Sequence, residues 1–492
     1  MTAAKNQKRH PLPRLGVFGQ PELPATQAAP GRVRWAALTV LLAVCLVCYN
    51  YTDLPLIVRH SISFWDALRT GRLNQFYQLA TALPIGQATG QTGEVPYDIW
   101  VYVLLAVWNL PVYLWELATG LTFETNLIAM VWVRLAGMLP FVGANWAILG
   151  IARQLDRPKE QGLWACWGFS TSLFLLNGLF CIGQIDIFNV FFTLMGLWAW
   201  LKQDEWGFIG WFALAVTFKM FALMVFLPLL LLEEKRLWRI AGASVGACSL
   251  SLLSKLLFLR DKMNTPTQFD ERRFIRFLFG RNLDLGGATI SAFVLLFGAT
   301  ALVCWLSRMD EQARPAWALW AVLAGYGSFF IGAAAYPYWA VVLAPCAALA
   351  LLVWPGYAKQ TVLLEAAAGA AYFGCSVLTY TAVYSGEMNL RWMLAGRLKP
   401  WSREGDALVN LLGRLSEGAL QNTDALLMAV LVLAVGGMLV LYAPWRADRP
   451  QREGSLAVDG GTLWARFALS AAVALAPTSF LEFSQYRRSF LA

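Results

Sequence analysis

Only two histidines, His10 and His60, stand in the 492 residues, and only 14% of the chain is charged. So little histidine leaves almost no room for a His-based metal site. The shortage of charge excludes more, because soluble domains carry about a quarter charged residues. The eight cysteines give no disulfide framework. Cys45 and Cys48 have CxxC spacing but fall inside an apolar run. The other six are scattered in apolar surroundings, where cysteine behaves as a small hydrophobe. No internal repeat of the kind found in secondary transporters is visible. A cleavable signal peptide is not expected either, since about thirty polar, proline-containing residues precede the first apolar run, which reads as a signal anchor.

What is present is apolar sequence. Hydrophobic residues make up 58% of the chain and the mean hydropathy is +0.53. Runs such as Trp35–Tyr49, Trp238–Phe258, Ala288–Leu306 and Thr423–Leu441 approach the length of about 20 residues that a span needs. Roughly 11–14 such segments recur by that rule, which predicts an all-α polytopic membrane protein. The net charge of +9 then records topology rather than nucleic-acid binding. Lys5, Lys8, Arg9, Arg14, Arg32 and Arg34 mark a cytoplasmic N-terminus by the positive-inside rule, and Arg446, Arg449 and Arg452 mark another inside loop. A bacterial plasma membrane is the expected location.

Three regions follow. Residues 1–33 read as a disordered cytoplasmic tail. Residues 34–380 form a transmembrane module whose first outer loop covers 51–98. Residues 381–492 hold an interfacial segment and the last transmembrane helices. The outer loop has its own order: in "HSISFWDALRTGRLNQFYQLATAL" apolar and polar residues interleave as in one or two interfacial amphipathic helices. From Phe123 to Leu232 several apolar segments are short, which a membrane tolerates only where broken helices line a cavity.

Polar residues in such a chain stand out. Asp53, in "YNYTDLP", lies just beyond the first span, where an acidic residue is in itself ordinary. Asp66, in "FWDALRTGR", caps an interfacial helix or pairs with Arg69. Gln184 and Asp186, in "GQIDIFN", sit between apolar runs, and intramembrane acids are functional by default. Lys219, in "LAVTFKMFALMVF", is flanked by oil on both sides and either snorkels to the interface or meets an anion. Arg272, Arg273, Arg276 and Arg281 form a basic cluster suited to phosphate or to lipid headgroups. Together these residues outline a chemistry. An outer carboxylate takes the proton of an acceptor hydroxyl, while cations stabilise a phosphate leaving group without a metal.

The order "YTDLP", "FWDALRTGR", "GQIDIFNVFFTLMGLWAW", "LAVTFKMFALMVFLPLLLL" resembles the GT-C class of integral-membrane glycosyltransferases. Within that class it is similar to the first mannosyltransferase of glycosylphosphatidylinositol synthesis, to bacterial polyprenyl-phosphate-mannose-dependent enzymes and to members from Gram-positive bacteria. The likeness covers roughly the first 240 residues; beyond them "AAYPYWAVVLAP", with Tyr336 and Tyr338, echoes the class. Pro55 stands where the mannosyltransferases carry a second acid. The resemblance implies inverting, metal- and cofactor-independent transfer of a mannose-like hexose from a polyprenyl-phosphate donor to an extracytoplasmic glycan or lipid. It implies Asp53 as the base, and Asp66 as a second acid or helix anchor. Gln184 and Asp186 would line the sugar or acceptor site, Lys219 and the arginines would address the donor phosphate, and Tyr336 and Tyr338 would contact substrate. Two other readings stay open: a multi-pass solute transporter with Asp186 and Lys219 as an ion-coupling site, and a flippase or polymerase of lipid-linked glycans.

Overall fold

The computed structural model describes residues 28–49, 53–83, 95–123, 126–263, 277–333, 336–379, 422–445, 456 and 458–490; the side chains of Asp53, Pro55, Pro337, Thr379 and residues 477–490 fall outside that description. The expected tail up to residue 27, residues 50–52, Arg272, Arg273, Arg276, the loop around Arg446–Arg452 and residues 380–421 also lie outside the described residues.

The described residues are mostly helical. It begins with α1 (Arg32–Cys48), α2 (Asp53–Arg69) and the short α3 (Phe76–Thr81). Next come α4 (Ile99–Trp108), α5 (Leu110–Thr119), α6 (Leu127–Leu135) and α7 (Met138–Gln154). The central helices are α8 (Lys159–Ser170), α9 (Leu173–Cys181), α10 (Asp186–Leu201), α11 (Glu205–Phe218), α12 (Leu223–Glu233), α13 (Leu237–Ala247) and α14 (Ser249–Leu257). A small antiparallel hairpin, β1 (Asn282–Asp284) with β2 (Thr289–Ser291), leads into α15 (Ala292–Leu306) and α16 (Arg314–Gly332). The last helices are α17 (Ala344–Val353), α18 (Ala358–Thr379), α19 (Thr423–Leu441) and α20 (Gly460–Phe490).

Among the described residues four helices are long and apolar enough to cross a membrane, or seven if each of three bent pairs is one span; six further apolar helices are shorter. The sequence count of eleven to fourteen took those shorter pieces as spans. They are short because turns interrupt them, as between α10 and α11, where Asp204 caps the returning helix by accepting from the Gly207 amide at 2.9 Å. Burial separates two kinds of helix. In α16, 89% of the most apolar stretch is buried, against 22% in α19. The exposed side chains on α19, and on α6 and α7, include Leu426, Leu433, Val440, Ile128, Leu139 and Val142. Apolar surface that continuous suits acyl chains rather than water. The structure is therefore that of a polytopic helical membrane protein with a buried central group, α10 packed on both α7 and α11, and α16 packed on α12 and α15.

Close packing is needed at that centre. A methyl group added at Gly325 in α16 would stand 1.9 Å from the Met224 carbonyl oxygen of α12, so only glycine permits this crossing. The helices of the first loop follow amphipathic spacing. In α2, Leu54, Ile57, Val58, Ser61 and Ile62 are buried, a helical stripe that faces α4. This helix starts at Asp53, earlier than the amphipathic pattern alone suggests. Asp261 accepts from the amides of Tyr77 (2.9 Å) and Gln78 (3.3 Å), fixing the start of α3.

Candidate functional site

Two interrupted helices build the site. The last six residues of α9, Leu176–Cys181, wind as a π-helix, and the Gln184 amide then reaches back to the Gly178 carbonyl at 2.8 Å. Such wide turns recur at functional positions. Gly183 completes the reversal in the left-handed region (φ +74°), where a side chain would be strained. Asp186 is thereby placed as the first residue of α10, at the positive end of the helix dipole, and it is fully buried, as is Gln184.

The second interruption is at "FK". Helix α11 stops at Phe218, Lys219 is extended, and a 3₁₀ turn at Met220–Ala222 precedes α12. Asn189 bridges this break: its amide donates to the carbonyls of Ala215 (2.9 Å) and Lys219 (3.0 Å), which also accept from the backbone amides of Lys219 and Ala222, and its own oxygen accepts from the Tyr326 hydroxyl at 3.4 Å. The Lys219 ammonium turns inward and lies 3.5 Å from Asp186 Oδ1; its side chain is 15% exposed and that of Asp186 0%. Lysine is thus the member of the pair that reaches the open side, and Asp186 stands behind it.

Aromatic rings form the rest of the wall. The Lys219 nitrogen lies 4.8 Å from the Trp339 ring, 5.0 Å from Tyr97 and 5.6 Å from Phe221, distances at which cation–π attraction operates. Trp339 packs edge-on to Tyr336 at 4.9 Å, and Tyr336 stacks on Tyr338 at 5.5 Å. Tyr336 and Tyr338 therefore adjoin Lys219 through Trp339. Arg281 does different work: it donates to the carbonyls of Phe330 (3.2 Å) and Ile331 (2.9 Å), closing the C-terminal turn of α16.

The start of α2 meets the same turn. The Leu54 Cδ2 lies 3.3 Å from where a Cβ on Gly183 would stand, so "YTD" and "GQID" come together although far apart in sequence. Asp53 is the first residue of that helix. Arg134, on α6, approaches the same point, its Nε 3.6 Å away. It is buried and donates to the Phe180 carbonyl at 2.6 Å, while its Nε and Nη1 have no hydrogen-bond partner among the described residues. Asp66 is elsewhere. Thirteen positions further along one helix, at 1.5 Å per residue, put it about 20 Å from Asp53. There its Oδ1 accepts from the Tyr113 hydroxyl (3.0 Å) and pairs with Arg69 (3.4 Å). Asp53 and Asp66 cannot serve one reacting atom.

Tyr97, Arg134, Asn189, Tyr326 and Trp339 were not singled out from the sequence. Arg134, in "MVWVRLAGML", carries the signal that marked Lys219, a cation within an apolar run. The aromatic residues carry no such signal among the chain's 23 tryptophans and 15 tyrosines. Comparison with protein-family models and with curated proteins finds no match for this chain.

Proposed function

We propose that the protein is an integral-membrane glycosyltransferase of GT-C type, transferring a hexose from a polyprenyl-phosphate donor to a glycan or lipid on the outer side. The observation that carries this reading is the meeting, at one end of the helices, of the start of α2, the Gly183–Asp186 turn and the Lys219 break. Arg32 and Arg34 on α1, Lys202 after α10, Arg236 after α12 and Arg314 on α16 lie at the ends of their helices away from these breaks, and the positive-inside rule then supports a cytoplasmic side there and an external site.

In the proposed reaction an acceptor hydroxyl attacks the anomeric carbon as the bond from that carbon to the phosphate oxygen breaks. The hydroxyl proton passes to Asp53, and the polyprenyl phosphate leaves with the electron pair. Lys219, held by Asp186, and Arg134 supply positive charge where negative charge develops. The rings of Trp339 and Tyr336 offer flat apolar faces to a sugar or a prenyl chain. The test uses purified protein in nanodiscs with radiolabelled polyprenyl-phosphate sugars and a membrane lipid extract. Asp53→Asn should lose transfer by about 10²–10⁴-fold, the usual worth of a general base, while folding as wild type. Full activity in that variant would remove Asp53 from the chemistry. Absence of transfer, with ion or solute uptake into proteoliposomes, would assign the buried Asp186–Lys219 pair to a transport path.

A further inference from the structure

A polar cavity of about 260 Å³ lies between α2, α5 and the turn that follows α5. Drug-sized ligands occupy about 300–1,000 Å³, so this space suits one small ring. Its polar wall is Arg59, Asp66, Tyr113 and Glu116. Its apolar wall is Ile62, Leu83, Leu117 and Leu121.

The charges in this cavity are already paired. Arg59 binds Glu116 at 2.9 Å and stacks 4.8 Å over Phe123, while Glu116 Oε1 accepts from the Phe123 amide at 2.7 Å. Asp66 is held by Tyr113 and Arg69. Two carboxylates balanced by two guanidinium groups leave the wall near neutral, which disfavours a bare anion or cation as the occupant. What remains is acceptor capacity at fixed positions: the second lone pairs of the Glu116 oxygens, and Asp66 Oδ2, which accepts no hydrogen bond from the described residues. Acceptors held rigidly beside an aliphatic face match a molecule with hydroxyls around its edge and C–H groups on its flat side.

We propose that this cavity binds a single pyranose unit of a neutral saccharide, its hydroxyls donating to Asp66 and Glu116 and its C–H face resting on Leu117 and Leu121. The site is separate from the Lys219 site, and the inference stands whether or not the chain transfers sugar.

Saturation-transfer difference NMR tests it, on full-length protein in nanodiscs with methyl α-D-glucopyranoside and methyl α-D-mannopyranoside as probes. Ring-proton signals are expected with wild type. They should weaken about tenfold in Asp66→Ala, the loss expected for a hydrogen bond to a charged group. Leu121→Trp, which fills the space from an exposed position without breaking an ion pair, should abolish them while the melting temperature stays at the wild-type value. Asp53→Asn and Lys219→Ala should leave them unchanged, so failure of the transfer reading and failure of this one give different results. Equal signals in wild type and Leu121→Trp, or none from either glycoside, would overturn the proposal. Displacement of both glycosides by ethylguanidinium would replace the saccharide with a cation.

Discussion

Among the described residues two ion pairs hold a fully buried carboxylate, and they are built differently. Glu365 of α18 and Arg466 of α20 lie 2.6 Å apart, each side chain 3% exposed. Every arm of this pair is occupied. Glu365 also accepts from Ser172 at 2.6 Å, and Arg466 donates to the Gly168 carbonyl at 3.0 Å and to the Thr171 hydroxyl. In Asp186–Lys219 the separation is 3.5 Å, and the ammonium's other neighbours among the described residues are ring faces. A saturated pair between helices that open to nothing is a fastener. A looser pair whose cation is partly exposed, at a helix break, is free to exchange its partner for a ligand.

The comparison can be broken in order of expected effect. Arg466→Ala should cost about 3–5 kcal/mol of stability, because it strands the buried carboxylate. Thermal unfolding in detergent measures this loss, and the double variant Glu365→Leu with Arg466→Met should recover most of it. The same double replacement at the other pair, Asp186→Leu with Lys219→Met, should keep the fold yet lower the proposed transfer by about 10²–10³-fold, the scale of one lost electrostatic contact in a transition state. Full transfer by that variant would make the second pair a fastener as well.

A pH profile sharpens the contrast with groups buried beside the first loop and outside the candidate spans. His60 on α2 is fully buried against Tyr102, with ring centroids 6.0 Å apart, and burial lowers its pKa from 6.5 to about 4. Its folded value is depressed, so the neutral ring's contribution is present above pH 6.5 and lost as pH falls toward 4. Over that window the loss is about 3 kcal/mol at 1.36 kcal/mol per unit. Asp98, at the start of α4, has the opposite sign. Burial raises its pKa from 3.8 to about 6, against the hydrogen bond from Ser251, and the stability it allows below pH 3.8 is lost as pH rises through 6. His60→Leu should therefore flatten the acid side of a melting-temperature profile, and Asp98→Asn should remove the smaller opposing slope between pH 4 and 6. Parallel shifts in both variants would show that neither burial survives in the membrane-embedded protein.

Part of the site was legible because cost is legible. Asp186 and Lys219 each interrupt an apolar run, and a charge is expensive there whatever surrounds it. Arg134 carried the same mark. Asp66 illustrates the limit: its pairing with Arg69 could be read three positions away, whereas its separation from Asp53 follows only from both lying on one helix. Arg281 is similar, a cation in a basic stretch whose hydrogen bonds go to the end of α16.

The sequence by itself determined the solvent of this protein, its helical class, the amphipathic stripe of α2 and the positions where polar groups had to be compensated. Those properties depend on local composition and on periods of a few residues. Only the tertiary structure decided which compensations were made: Arg466 finding Glu365 across 101 positions, Asn189 holding open the break at Lys219, and Leu54 meeting Gly183. Such pairings depend on how bent helices pack side by side, and no period in the chain records that geometry.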